Sequence, residues 1–375
     1  MAAPWVILRR FLGIVPKHAE AEHPAAISTA LRAPPRVTVL AVGPSAHPEA
    51  TRPDKVPYLV AAGPCGLLIC FCVGDAPVET EDLIVARDFL PSGDPLRQPT
   101  TGSVERVPRR TGSMPVTCNI RSLALTPGLY AGDYVVTELK IARNNHRAKL
   151  LRFFSCEKIW IETVVFNPLS CVDREWSPSA VVAHEGKLWF IDLSWGIFSC
   201  DPTDALPVLQ FHDLPPGRYI SEGKPFIHTI RCISVSKRML RYVDIARDLD
   251  LDGRVAEKKV VVWTGIPEPD GFDVDHGMIW IKTYEMSFRK IWEDDSYRAT
   301  QLPPMVPEIV VMNPRHPNVV YLFLRGTLFG VDVPNHKVVG FVKDARKLVA
   351  PGGRHCVLPW DLPPSIANGN MYIHA

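Results

Sequence analysis

The stretch KLWFIDLSWGIFSCDP (residues 187–202) brings a serine and a cysteine close to acidic side chains, a combination that could support nucleophilic chemistry. In such a site Ser194 or Cys200 would attack the substrate, and His184, just upstream, would accept the proton. No Gly-x-Ser-x-Gly turn surrounds Ser194, and strand alternation places Cys200 on the same apolar side as Phe198. We therefore interpret the stretch as architecture, and the sequence predicts no catalytic residues.

A second group of side chains could hold a metal ion. In RDLDLDG, Asp248, Asp250 and Asp252 alternate as carboxylates do at the start of a calcium-binding loop, and Gly253 follows them. The closing position of such a loop needs a bidentate glutamate, but Lys259 stands there. The alternative is an acidic hairpin turn with solvated carboxylates. We predict no metal site, and calcium binding by the three aspartates stays an open alternative.

Composition argues against cofactor and nucleic-acid chemistry. The nine cysteines include no Cys-x-x-Cys pair, and the sequence has no Gly-rich phosphate loop or dinucleotide fingerprint. The net charge is +2, with no basic stripe interleaved with aromatic residues. We therefore expect no cofactor and no nucleic-acid partner, and a monomeric protein whose partners are other proteins.

Two segments resemble membrane or targeting signals. Residues 56–74, VPYLVAAGPCGLLICFCVG, carry no charge over nearly the length of a membrane span. AAGPCG interrupts this run, so two buried strands around a turn fit it better. Residues 1–20 are basic and poor in acids, so organelle targeting stays open, although WVIL can equally form a strand. We expect no membrane partner and a cytoplasmic or nuclear location.

Proline density and turn chemistry indicate many short strands. The chain holds 36 prolines, nearly double the usual share, and proline disfavours long helices. LWFIDL, GIFSCDP and VLQFHDLP follow one another with tight connections, and VVYLFL, GTLFGVDV and KVVGFV repeat this order. In this alignment Trp189 corresponds to Tyr321, and Asp201 corresponds to Asp332.

Weaker copies of the unit begin near residues 67, 134, 230 and 278, at the spacing typical of propeller blades. Residues 278–301 read as three short strands, and the proline-rich residues 91–115 as a surface loop. Early strands in VTVLAV (37–42) would pair with the last blade and close the ring. The predicted fold is all-β and β-propeller-like, with about six blades of antiparallel strands, and two β-sandwich-like domains are the alternative.

Three stretches carry a family resemblance. KLWFIDLSWGIFSCDP, CISVSKRMLRYVDI and WVIL resemble the plant family called domain of unknown function 1618, which is similar in style to the propeller-like domains that accompany plant F-box proteins. The resemblance implies a β-propeller-like fold and a plant cell, but no activity and no catalytic residues. The predicted organisation is an N-terminal strand and loop segment (1–36), a propeller-like domain of this type (37–345) and a C-terminal tail (346–375).

These observations favour a non-catalytic protein-interaction module, because a propeller presents variable loops on a rigid face. The competing function is a hydrolase or lyase that acts on a sugar or small metabolite at the propeller axis. Such an enzyme needs carboxylates or histidines that converge from several blades. The side chains at the axis therefore distinguish the two functions.

Overall fold

The computed structural model describes residues 5–15, 26–46, 56–72, 82–91, 100–115, 117, 119–221, 226–249, 255–267, 277–343 and 357–367. The first nine strands are β1 (Trp5–Arg9), β2 (Gly13–Ile14), β3 (Ile27–Thr29), β4 (Val37–Thr38), β5 (Leu40–Val42), β6 (Val56–Gly63), β7 (Gly66–Cys72), β8 (Asp82–Pro91) and β9 (Thr100–Val107). The next eight are β10 (Leu123–Pro127), β11 (Tyr134–Lys140), β12 (Arg147–Phe154), β13 (Ile159–Phe166), β14 (Ala180–His184), β15 (Lys187–Asp192), β16 (Gly196–Cys200) and β17 (Gln210–Asp213). The last nine are β18 (Arg231–Ser236), β19 (Met239–Leu249), β20 (Val255–Pro267), β21 (Met278–Ser287), β22 (Glu308–Met312), β23 (Val319–Leu324), β24 (Thr327–Asp332), β25 (Lys337–Val342) and β26 (Val357–Asp361). The helices are short: a 3-10 turn (Ile120–Ser122), α1 (Ile227–Ile230), α2 (Phe288–Glu293), α3 (Asp295–Arg298) and α4 (Pro364–Ala367).

Four sheets each hold four antiparallel strands in chain order. They are β10–β13, β14–β17, β18–β21 and β22–β25. The sequence repeat is confirmed, because Trp189 and Tyr321 occupy the same place in the second strands β15 and β23. Asp201 directly follows the third strand β16, and Asp332 ends the third strand β24. Each accepts a hydrogen bond from a backbone N–H two or three residues further on, at 2.8 and 3.2 Å. The same turn chemistry therefore ends the third strand of both sheets.

A larger sheet contains most of the N-terminal strands. Its seven strands lie in the order β2-β5-β3-β9-β8-β7-β6. The apolar run at 56–74 forms the antiparallel hairpin β6–β7, in which Gly63 pairs with Gly66, so the prediction of two strands around a turn is confirmed. Among the described residues no helix has the length and apolarity to cross a membrane.

The sixth sheet joins the two ends of the described chain. Its order is β26-β1-β4, and Trp5 pairs with Asp361 in the antiparallel ladder of β1 and β26. VTVLAV (37–42) was expected to close the ring by pairing with the last blade. Its first part, β4, pairs with β1 and not with β26, and its second part, β5, belongs to the seven-stranded sheet. The closing strand is WVILR, because it runs antiparallel to the C-terminal strand and is buried on both faces. Both β1 and β26 lie outside the predicted boundaries of 37 and 345.

The inner strands of neighbouring sheets contact one another in a closed cycle. The order of contact is β6, β10, β14, β18, β22 and β26, and β26 returns to β6. This arrangement is a β-propeller, and the predicted fold class is confirmed. Five sheets have four or more strands, as a full blade does, and the three-stranded sheet completes the ring.

Apolar side chains fill the spaces between adjacent sheets. Phe190 and Phe198 of one sheet pack with Leu150 of the sheet before it, in a cluster that also holds Trp176. The middle strands are covered on both faces, so β15 and β16 are buried along almost their full length. This explains why LWFID and GIFSC read as continuous apolar runs instead of alternating ones.

The interpretation of residues 278–301 as three strands is wrong. β21 is the fourth strand of the preceding sheet, and the next residues form α2 and α3. Ser287 and Asp294 cap these helices by accepting hydrogen bonds from the backbone N–H two residues on, at 3.1 and 2.9 Å. Phe288 and Ile291, three residues apart, enter the same core cluster. Capping residues and helical spacing outweigh the aromatic composition that suggested strands.

The predicted surface loop at 91–115 is wrong in part, because residues 100–107 form β9. This strand pairs with β8 on one side and β3 on the other. Its ends, Thr100 and Val107, are buried, and polar side chains between them face outward. Pairing with the two flanking strands stabilises this segment, and Val104 and Val107 add contacts to two different core clusters.

Candidate functional site

A cavity of about 540 Å³ runs between the inner strands along the axis of the ring. We call it the axial channel. Its walls are mostly aliphatic, and every inner strand contributes to them. Representative wall residues, one from each inner strand, are Val60, Leu125, Val182, Ile233, Val311 and Leu358. Short side chains predominate because six strands converge on the axis.

Hydrogen bonds between neighbouring blades show that inner strands end on one side of the ring. Ser236 Oγ, at the end of β18, donates to the carbonyl of Asn313 just after β22, at 2.5 Å. Trp360 Nε1, near the end of β26, donates to the carbonyl of Gly63 at the end of β6, at 3.2 Å. We call this side the mouth face, and it carries the turns that follow the inner strands: residues 64–65, 128–133, 185–186, 237–238 and 313–318.

The turn between β18 and β19 places two cations at the channel mouth. Ser236 pairs with Met239, so Lys237 and Arg238 alone form the turn, and both line the channel. Their φ angles are 50° and 58°, left-handed values that favour Gly or Asn. The equivalent turn at 185–186 has glycine in its second position. Both cations are exposed, and among the described residues neither side chain makes a hydrogen bond or ion pair.

Positive charge predominates among the charged residues that line the channel. Arg315 and Asp361 also lie at the mouth, where Arg315 Nε is 2.7 Å from Asp361 Oδ1. Arg10 follows β1 and so lies where the inner strands begin, and it donates to the carbonyls of Leu59 and Val60 at 2.8 Å each. Asp361 is the one carboxylate among the described lining residues, and it is already paired.

Two other titratable groups lie in or beside the channel. Cys232 is in the wall, and burial raises the pKa of its thiol to about 12, so it stays protonated and is a poor nucleophile. His184 ends β14 beside the mouth. Burial lowers the pKa of His184, Glu185 opposes this shift, and Arg238 adds to it, so the imidazole is neutral at neutral pH. Neither group is activated for catalysis.

The serine of the opening stretch is already engaged by its neighbours. Ser194 Oγ donates to Asp192 Oδ1 at 2.5 Å and accepts from Arg174 Nη2 at 2.5 Å. Asp192 Oδ2 also accepts from the backbone N–H of Ser177 at 3.1 Å. Ser194 is only 2% exposed. This network fixes the β15–β16 turn and leaves no hydroxyl open to a substrate.

His184 reaches neither candidate nucleophile. It pairs with Lys187 at one end of the β14–β15 ladder, whereas Ser194 follows the other end. At about 3.3 Å per residue the ladder separates them by more than 10 Å. Cys200 lies inside the apolar cluster around Phe198, and burial raises the pKa of this thiol to about 12. The geometry assigns the stretch to the scaffold.

The aspartates considered for calcium lie largely outside the described residues. Asp250 and Asp252 are not among them, and neither is the side chain of Asp248. The backbone of Asp248 belongs to β19, where it pairs with Glu257 of β20. Elsewhere, the described residues contain no cluster of three or more His, Cys, Asp or Glu that could hold a metal ion.

Two features were missed at the sequence level. Ser199 Oγ and His212 Nε2 lie 2.7 Å apart, but both residues are buried, so this pair ties β16 to β17. The second feature is the pair Lys237 and Arg238 in the SKR segment, which was not among the candidate site residues. Its signal is the pair of consecutive cations in a two-residue turn, where Asn-Gly is the usual sequence.

The closed cycle of sheets around an axial channel defines the class of this molecule, a β-propeller protein. Residues 189–321 match the family described as "Protein of unknown function (DUF1618)". This match supports assigning the chain to that family, as the sequence resemblance predicted. No curated protein matches the chain significantly.

Several solved structures share parts of the arrangement at low similarity. A chain of the mitotic checkpoint complex is 8% identical over 78% of this chain and 66% of its own length, with a TM-score of 0.35. Apo AztD from Citrobacter koseri is 12% identical over 77% and 73%, with a TM-score of 0.32. The Cps50 (Swd1) β-propeller domain from Myceliophteria thermophila is 10% identical over 70% and 83%, with a TM-score of 0.28. Likenesses at this level carry no argument about function.

Proposed function

We propose that this protein is a non-catalytic protein-interaction module that binds its partner through the mouth face. The observation that carries the proposal is a set of large apolar side chains exposed on loops of this face. They are Leu129 and Tyr130, each 72% exposed, Leu206, 81% exposed, and Val208, 68% exposed. Exposed apolar residues on a rigid scaffold are typical of partner-binding surfaces.

Hydrogen bonds brace the loop that carries Leu129 and Tyr130. The backbone N–H of Gly128 donates to the carbonyl of Asp133 at 2.8 Å, which closes the loop. Arg87 Nη1, on the neighbouring blade, donates to the carbonyl of Gly132 at 2.5 Å. A preorganised loop loses little conformational entropy on binding, and tyrosine is a frequent binding hot spot.

A groove of about 460 Å³ lies beside this loop on the same face. Leu129 and Tyr130 line it together with Trp360 and Ile366, so it has apolar walls from three parts of the fold. Such a groove fits one or two apolar side chains of a partner, with the rigid loop as its rim.

The loop that carries Leu206 and Val208 reaches the same face. The loop follows Cys200 at the end of β16, and Cys200 pairs with Leu188, which lies just after the 185–186 turn of the mouth face. The end of β16 therefore lies at this face. Arg152 fixes it by donating to the carbonyls of residues 202 and 204, at 3.0 and 2.6 Å. The exposed apolar residues of the two loops therefore belong to neighbouring blades and can contact one partner.

The axis supports this function over the hydrolase or lyase alternative. Asp361 is the one carboxylate among the described lining residues, and Arg315 pairs with it. Burial keeps the thiol of Cys232 protonated, and the described lining residues include no histidine and no carboxylate besides Asp361. The plant origin, the monomeric state and the cytoplasmic or nuclear location remain predictions.

The test is affinity enrichment from an extract of the cells that make this protein, quantified by mass spectrometry. The variant Leu129→Ser/Tyr130→Ser removes the apolar loop tip. The matched control is Tyr219→Ser, because Tyr219 is 57% exposed and lies next to Ile220, which bonds the Ser194 turn on the opposite side of the ring. We expect wild type and control to enrich the same proteins and the double variant to lose them. Equal enrichment by all three, or no reproducible enrichment by wild type, would overturn the proposal.

A further inference from the structure

We propose that the axial channel binds a small amphipathic carboxylate. Its hydrocarbon body lies between the inner strands, and its head group meets Lys237 and Arg238 at the mouth. This inference does not depend on the proposed protein-binding function, because the loops and groove around Leu129 lie beside the channel and not inside it.

The channel walls fit a hydrocarbon body. Aliphatic residues of all inner strands face it, and Ser234 is the one hydroxyl-bearing side chain among its described lining residues. The volume of about 540 Å³ falls within the range of sites that enclose small organic ligands, about 300–1,000 Å³. Arg10 lies where the inner strands begin and is bonded to the carbonyls of Leu59 and Val60, whereas Lys237 and Arg238 lie at the other end, so we expect the head group at the mouth.

The mouth fits an anionic head group. Lys237 and Arg238 are adjacent, exposed and without an ion-pair partner among the described residues. Arg315 is occupied by Asp361, so those two charges offset each other. Glu185 in the next turn lies toward His184, 3.9 Å from its Nε2, and does not line the channel. The two cations therefore give the mouth a net positive charge of the kind that a carboxylate neutralises.

The left-handed backbone of the turn fixes where these cations stand. Two non-glycine residues with positive φ are unusual in a two-residue hairpin, where Asn-Gly serves the fold better. The neighbouring turn at 185–186 keeps glycine and has no cation. A turn sequence that suits the hairpin poorly but places two charges at the end of an apolar channel is consistent with ligand binding.

The first test is isothermal titration calorimetry of decanoate into the full chain at neutral pH. Decanol serves as the neutral probe, and a peptide ending in leucines with a free C-terminal carboxylate distinguishes a protein terminus from a free amphiphile. We expect decanoate to bind with one site per chain, decanol to bind at least about tenfold more weakly, and the peptide not to bind. Binding of the peptide alone, or of neither carboxylate at millimolar concentration, would overturn the proposal.

The second test uses variants whose folding is protected. Lys237→Asn/Arg238→Gly removes both charges and installs the preferred turn sequence, so the hairpin is retained. We expect at least about tenfold weaker decanoate binding. Ala183→Phe places a ring at an exposed position in the mouth, and we expect it to abolish binding.

The matched control is Arg325→Asn, which also creates an Asn-Gly turn. Arg325 has a φ of 49° and joins β23 to β24 on the opposite side of the ring from the mouth. If decanoate binds in the channel, Arg325→Asn should bind decanoate as wild type does. If all variants bind decanoate as wild type does, the binding is non-specific and the proposal fails.

Discussion

Two regions of this propeller carry the side chains that chemistry requires, and they differ in what those side chains already contact. Around the β15–β16 turn, Asp192 and Ser194 are buried and bonded to each other, to Arg174 and to the backbone. At the channel mouth, Lys237 and Arg238 are exposed and unpaired among the described residues. The first region has the residue types of an active site but serves the fold, whereas the second reads as a plain hairpin and faces a cavity.

This difference shows that the type of a residue is a weaker guide to function than whether its side chain still has hydrogen bonds or ion pairs to offer a ligand. A buried polar group is stable only when its partners are present, so a completed network has no bond left for a ligand. An exposed, unpaired charge at the end of an apolar channel can still form an ion pair with a ligand. Four variants, each measured through the free energy of unfolding, test this account.

The largest effect is expected for Asp192→Ala. Three donors bond this buried carboxylate: the backbone N–H and the hydroxyl of Ser194, and the backbone N–H of Ser177. Their loss should cost about 3–5 kcal/mol in urea unfolding. Asp201→Ala is the matched control, since this less buried aspartate makes similar bonds to Thr203 and should cost about 1 kcal/mol. Equal losses would show that burial does not distinguish the two aspartates.

A smaller loss is expected for Cys200→Ser. The thiol lies in an apolar cluster, and a hydroxyl costs more free energy to bury there than a thiol, so stability should fall by about 2 kcal/mol. Cys156→Ser is the control, because Cys156 is exposed and its replacement should change the unfolding free energy by less than about 0.5 kcal/mol. A neutral Cys200→Ser would mean that the hydroxyl finds water or a polar partner, against the placement of this side chain in apolar packing.

The turn variant Lys237→Asn/Arg238→Gly should raise stability. It relieves the left-handed strain of two residues at a position where Asn-Gly fits, and the expected gain is about 1 kcal/mol. The same chemical denaturation experiment measures it. A loss of stability would show that the two cations serve the fold, which would remove the contrast with the buried turn.

The smallest effect is expected for Leu129→Ser/Tyr130→Ser. Both side chains are largely exposed, so the unfolding free energy should change by less than about 0.5 kcal/mol. Thermal and urea unfolding of the double variant beside wild type provide the measurement. A loss above 2 kcal/mol would place these residues in the core packing and not on a partner surface.

Much of the fold could be predicted from the sequence because strands and turns are local signals. The repeated order around Trp189 and Tyr321 located two blades, and Gly63 and Gly66 marked the hairpin in the apolar run at 56–74. The ring closure by β1 and β26 could not be predicted, since pairing between distant segments leaves no local pattern. Helix α2 was missed because its aromatic residues also suit a strand.

The candidate site was less predictable than the fold. The channel is formed only when six remote strands converge, and no single wall residue is chemically distinctive. The SKRM segment did carry a local signal, two cations in a two-residue turn, but its meaning depends on the cavity beside it. The serine and cysteine near 194–200 attracted attention by type, and only burial and bonding show that they are structural.

Hydrogen–deuterium exchange of wild type with and without decanoate tests the central claim most directly, because it compares both regions in one experiment. We predict slower exchange at residues 183–186 and 235–239 when decanoate is present, and no change across residues 194–202, which lie beyond the channel-lining Ile191 and Leu193. Protection confined to residues 194–202, or no protection anywhere at millimolar decanoate, would contradict the assignment of ligand binding to the mouth and of the buried turn to the scaffold.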